Sequence, residues 1–157
     1  MHLKAIFSFF YYLCTQNYIT TTMITGETKI RVRYGETDKM GYCYYGNYPE
    51  YFEAARSDVF RESGCSYREL EEMGYIMPVI SLTVNYKKPA HYDDLLTIKV
   101  IVRKRPEIKM HFEYETYNEA GELLNTGTTT LCFVNTKTGR PSLPPQKFQD
   151  VLDKHFN

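Results

Sequence analysis

The chain has 157 residues, enough for one domain whose core needs no covalent staples. Its 19 lysines and arginines balance 19 aspartates and glutamates, so no net field draws the whole protein to nucleic acid or an anionic membrane. Four scattered cysteines (Cys14, Cys43, Cys65, Cys132), with no C-x-x-C pair, argue against structural zinc and a disulfide framework and point to a reducing cytoplasm.

Residues 1–22 read differently from the rest. Lys4 precedes a short apolar run, Ala5 to Leu13, too brief to span a bilayer. It loosely resembles the apolar part of a signal peptide, but no A-x-A cleavage site follows, and Leu13-Cys14 lacks the small residues of a lipoprotein site. The segment is expected to be an extension outside the native fold, with Met23 as the true start and a single domain over 23–157.

From Thr28 to Tyr34, Ile30, Val32 and Tyr34 alternate with Lys29, Arg31 and Arg33, which predicts a half-buried strand. Gly35 to Gly46 breaks the pattern and forms a loop carrying Asp38. Asn47 is expected to cap a helix with Glu50 in a variant capping box, and Pro49 is tolerated in the first turn because its missing N–H has no helical partner there. Tyr48, Tyr51, Phe52, Ala55, Val59 and Phe60 recur at helical spacing, with Glu50, Glu53, Arg56 and Arg61 on other faces. Gly64 stops this helix after about 16 residues, on the order of 24 Å. Ser66 with Glu69 predicts a second, shorter helix ending at Gly74.

Strand patterns dominate from there. Ile80 to Lys87, Leu96 to Arg103, Ile108 to Thr116 and a threonine-rich run from Leu123 to Asn135 all read as strands. Their short links predict antiparallel neighbours, because a parallel crossover needs more chain. A last helix, Gln146 to Phe156, follows Pro144-Pro145. The order is α+β: one long helix burying an aromatic stripe against a curled antiparallel sheet.

Several chemistries are missing from the sequence. There is no G-x-S-x-G elbow, no H-E-x-x-H, no Walker-type lysine loop and no G-x-G-x-x-G. His2, His91, His111 and His155 have no metal-ligand spacing, and His111 reads as a surface or packing histidine. By local pattern alone, Thr37-Asp38 is an ordinary turn or capping pair, since Asp commonly bonds its neighbouring backbone.

The segment Tyr34–Arg56, Y-G-E-T-D-K-M-G-Y-C-Y-Y-G-N-Y-P-E-Y-F-E-A-A-R, resembles the signature of hotdog-fold acyl-CoA thioesterases of the 4-hydroxybenzoyl-CoA thioesterase type. That pattern has a T-D carboxylate, a Gly three residues on, a Tyr or His seven residues after the Asp, and then a Y-x-x-Y-F-E-x-A-R-like helix. Pro89-Ala90-His91-Tyr92-Asp93-Asp94 resembles the family's P-A-x-Y-x-D turn before a central strand.

The resemblance implies a hotdog fold and hydrolysis of an acyl-CoA to free acid and CoA, without cofactor or metal. It implies that Asp38 is the catalytic nucleophile or base. The Tyr45 backbone amide, near a helix start, would polarise the carbonyl, with Gly46, Asn47 and Tyr48 as substrate-binding positions. Many bacterial members carry His where this chain has Tyr45, so only the backbone role is transferred. It further implies a homodimer or a tetramer of two dimers, with the site between protomers. Lys87-Lys88 and Arg103-Lys104-Arg105 are candidates for the coenzyme A phosphates, or else solvated charged strand edges. The alternatives are an acyl-carrier-protein thioesterase and a non-catalytic acyl-CoA-binding module.

Overall fold

The computed structural model describes residues 23–156, so the expectations for residues 1–22, Cys14 included, lie outside the described residues. Strand β1 spans Ile24–Arg31 and pairs antiparallel with β4, Leu95–Val102, from Ile24↔Val102 to Arg31↔Leu95. It therefore starts and ends earlier than the alternation over Thr28 to Tyr34 predicts. Val32 keeps backbone bonds with Asp93 and Asp94 and is buried, but Tyr34 already opens a 3-10 turn, Tyr34–Glu36.

With β3 (Val79–Tyr86), β5 (Lys109–Tyr117) and β6 (Leu123–Cys132), these strands form one antiparallel sheet of order β1-β4-β5-β6-β3. The expectation that successive strands are neighbours fails once, because β3 and β4 do not touch. The link between them, residues 87–94, carries the chain from one edge strand to the strand beside the opposite edge. Eight extended residues reach about 26 Å, and three strand spacings need only about 14 Å. A short link therefore does not enforce adjacency.

The final run also divides. Phe133 is fully buried with its N–H bonded to the Ile108 carbonyl, and there the chain leaves the main sheet. Val134–Asn135 becomes β7 of a small second sheet, between β2 (Tyr75–Ile76) and β8 (Arg140–Pro141).

Helix α1, Tyr48–Ser63, buries the expected stripe of Tyr48, Tyr51, Phe52, Ala55, Val59 and Phe60 and closes at Gly64. Phe52 stacks on Tyr114 of β5, with ring centroids 4.3 Å apart. The same ring presses on β6 at Gly127, where a Cβ would lie 2.4 Å from Phe52 Cε2, so only glycine leaves room. Arg56, expected on an outer face, is instead buried, its Nε donating to Tyr67 Oη at 3.1 Å. Aromatic hydroxyls let the guanidinium enter the core.

Helix α2, Tyr67–Glu72, carries the expected capping box: Ser66 Oγ accepts the Glu69 N–H, and the Glu69 carboxylate accepts the Ser66 N–H. Helix α3, Gln146–Phe156, packs Phe148 against Phe60 and Phe133. Helix α1 lies mainly over β1 and β4. The edge strand β3 is left bare, with Ile80 51% and Leu82 43% exposed. Among the described residues, no helix is long and apolar enough to cross a membrane.

Candidate active site

Between β1 and α1 the chain folds into a small hairpin. Thr37 bridges Cys43 antiparallel, the Asp38 N–H donates to the Tyr42 carbonyl at 2.9 Å, and the Gly41 N–H to the Asp38 carbonyl at 2.9 Å. The Asp38 carboxylate takes the Met40 N–H on Oδ1 at 2.9 Å. This is the ordinary turn role that local pattern assigns to such a residue. It fixes one carboxylate oxygen and leaves the other free of partners among the described residues.

The chain then enters a second 3-10 turn, Tyr45–Asn47, which runs straight into α1. Asn47 is therefore not the cap that the sequence predicts. Its backbone is already helical (φ −78°, ψ −24°), and its side-chain Nδ2 donates to the Glu36 carbonyl at 2.7 Å. Helical winding begins at Tyr45, so the amides free of intrahelical partners move upstream to that residue. Among the described residues, none accepts the Tyr45 N–H. The Tyr45 carbonyl, by contrast, accepts the Tyr86 O–H at 2.9 Å.

Asp38 and Tyr45 line one cleft of about 270 Å³, together with Met40, Tyr42, Cys43 and Tyr48, and with Tyr86, Lys87, Lys88 and Pro89 from the end of β3. Asp38 is the one carboxylate among these residues. Burial pushes the Tyr48 and Tyr86 phenols up from their ordinary value, so these rings remain neutral and hydrogen-bonding through the physiological range. Asp38 then offers the cleft's one carboxylate, beside the free thiol of Cys43.

Of the residues singled out in the sequence, Asp38, Tyr45 and Tyr48 share the cleft, while Gly46 and Asn47 lie outside its lining. Gly46 packs against the Tyr44 ring, where a Cβ would fall 2.6 Å from Cε1. Lys87 and Lys88 reach the cleft. Arg103 instead pairs with Glu113, and Arg105 with Asp153. Sequence reasoning missed Tyr86 and Pro89 as cleft walls, because they arrive from a strand some forty residues on. The alternation ending at Tyr86 beside Lys87-Lys88-Pro89 was their only trace.

The chain matches the family model described as the thioesterase-like superfamily over residues 32–152. It is 31% identical over 128 residues to YneP of Bacillus subtilis (strain 168), provisionally named an acyl-CoA thioesterase, covering 82% of this chain and 93% of that protein. It is 27% identical over 117 residues to the acyl-CoA thioester hydrolase YbgC of Escherichia coli O6:H1, covering 74% and 87%. Among solved structures, the DHNA-CoA thioesterase of Staphylococcus aureus superposes with a TM-score of 0.78 at 38% identity, covering 83% of this chain and 89% of that one. The antiparallel sheet with its one long helix thus agrees with sequence and structural likeness alike: the chain belongs to the thioesterase-like superfamily of hotdog-fold acyl-CoA thioester hydrolases.

Proposed function

We propose that this acyl-CoA thioesterase works through Asp38 and the Tyr45 amide, and one observation carries the reading. The cleft holds a single carboxylate beside a helix-start amide that no described group engages. Asp38 delivers an electron pair to the thioester carbonyl carbon, directly or through a water that it deprotonates. Charge developing on the carbonyl oxygen is met by the Tyr45 N–H at the positive end of α1. The C–S bond breaks and coenzyme A leaves as a thiolate; on the direct route this leaves an acyl–aspartyl anhydride that water then hydrolyses, and on the water route the free acid forms in the same step. A thiolate leaves readily, so a full triad is unnecessary. Lys87, which has no carboxylate partner among the described residues, supplies positive charge near the cleft mouth for the coenzyme A phosphates.

The working form is a homodimer or a tetramer of two dimers, in which a second copy adds to the bare edge of β3. Support comes from its free hydrogen-bonding edge and its exposed Ile80 and Leu82, next to Tyr86 at the cleft. We assign the protein to the cytoplasm, supported by Cys43, Cys65 and Cys132, which are buried and unpaired.

The test is turnover of short, long and aromatic acyl-CoAs by wild type and Asp38→Asn. The variant is expected to fold and bind substrate but to lose at least about two orders of magnitude in kcat. Near wild-type turnover would overturn the assignment.

A further inference from the structure

The two reacting groups sit on different pieces of structure, a hairpin tip and a helix start, and both are tied to Glu36. The Glu36 carbonyl accepts the Tyr44 N–H at 2.8 Å and Asn47 Nδ2 at 2.7 Å. Its carboxylate Oε2 accepts the Arg33 N–H at 2.7 Å and the Tyr51 O–H at 2.7 Å. Arg33 lies before the hairpin, Tyr44 after it, and Asn47 and Tyr51 belong to the 3-10 turn and the α1 helix that continues it. Four hydrogen bonds from three segments therefore meet on one residue.

The remaining bonds of the loop do a different job. Those between Asp38, Gly41, Met40 and Tyr42 are internal and give the hairpin its shape. The Cys43 N–H, bonded to the Ala90 carbonyl at 2.8 Å, docks it on the β3–β4 link. Among the described residues, the side-chain ties from this hairpin segment into the body of α1 converge on the Tyr51 hydroxyl, and the shorter is its bond to Glu36. Tyr51 is buried, with Cys43 Sγ 3.5 Å from its hydroxyl. Burial raises its phenol well above the ordinary value, so it stays a donor to the carboxylate.

We infer that Glu36 and Tyr51 are positioning residues for the hydrolysis, a clamp that sets the Asp38 carboxylate at its working distance from the Tyr45 amide. The inference rests on Asp38 and that amide being the reacting groups. Neither clamp residue lines the cleft that holds the reacting groups. Their effect is on attack geometry, where a displacement of about 1 Å can cost as much as about a hundredfold in rate.

The experiment is a double-mutant cycle of Tyr51→Phe with Asp38→Asn, followed by kcat, KM and thermal melting. Tyr51→Phe deletes one oxygen and is expected to lower kcat about tenfold or more while KM stays within about twofold. The double variant is expected to be no slower than Asp38→Asn alone, because a clamp has nothing to align once its carboxylate is gone. Glu36→Gln, which keeps an acceptor oxygen, is expected to retain more kcat than Glu36→Ala, and this comparison decides the matter if Tyr51→Phe does not fold. An unchanged kcat in Tyr51→Phe, a loss confined to KM, additive losses in the cycle, or equal rates for Glu36→Gln and Glu36→Ala would each overturn the clamp. If Asp38→Asn itself turns over normally, the assignment of Asp38 fails, whatever Tyr51→Phe does.

Discussion

Tyr45 allows the contributions of backbone and side chain to be separated. It opens a 3-10 turn, and Tyr44 before it is extended at φ −57°, ψ 131°. A proline fits such a first position, and the residue before a proline prefers that extended conformation. Tyr45→Pro is therefore expected to fold, lose its N–H and lose about a hundredfold or more in kcat. Tyr45→Ala keeps the N–H and is expected to change mainly KM. Equal kcat in the two variants would show that the amide is not the oxyanion donor. At Gly127, the ring of Phe52 fills the space that a side chain would need. Gly127→Ala is expected to cost about 1–3 kcal/mol, measured by urea denaturation, because Phe52 must leave its stack on Tyr114. Asp38 could be read from the sequence only through its motif, since its local bonding is that of any turn aspartate. Tyr51 was legible as a stripe residue, but its bond to Glu36 was not, because the two lie fifteen residues apart.

Among the elements, those fixed by local chemistry were legible and those fixed by partners were not. Helix α1 ends at Gly64, α2 starts at its Ser66–Glu69 box and α3 follows its prolines, all signals within a few residues. The ends of β1, the separation of β3 from β4 and the break at Phe133 depend on distant strands, which alternation cannot report. Asn47 illustrates the limit: its residue type suits a cap, but a carbonyl eleven residues earlier takes its side chain. The α2 box also joins α3, because Lys147 pairs with Glu69. The Lys147 ammonium, aided by the Ser66 N–H and hydroxyl, holds the Glu69 carboxyl down at about 2. A lowered folded-state value contributes stability above the unfolded carboxylate range and loses it as pH falls towards the folded value. Glu69→Gln is therefore expected to melt below wild type near neutrality, with the gap closing between about pH 4.5 and pH 2. A gap that stays constant over that window would place the effect elsewhere.

At the scale of the whole molecule, the helix packs mainly over β1 and β4, reaches β5 and β6 through Phe52, and leaves the edge strand β3 exposed. Ile80 and Leu82 lie on a strand that pairs on one side only, and burying them would remove a substantial apolar area from water. Replacing both with glutamate is expected to convert the proposed dimer to a monomer in sedimentation velocity and to depress turnover. A variant that remains dimeric would show that the contact lies on another face. The cleft itself is assembled from two separate stretches of chain. The proposed reacting groups lie on one contiguous run, Asp38 to Tyr48, whereas Tyr86 ends β3 and Lys87, Lys88 and Pro89 begin the strap that crosses to β4. In evolutionary terms, inheritance of the reaction and inheritance of the substrate are separable. On the proposed assignment, substitutions at Tyr86 to Pro89 are expected to change how substrate fits the cleft while leaving Asp38 and the Tyr45 amide in place. Divergence within a lineage of such chains is therefore expected to gather at the strap, where a new preference costs no loss of the old chemistry.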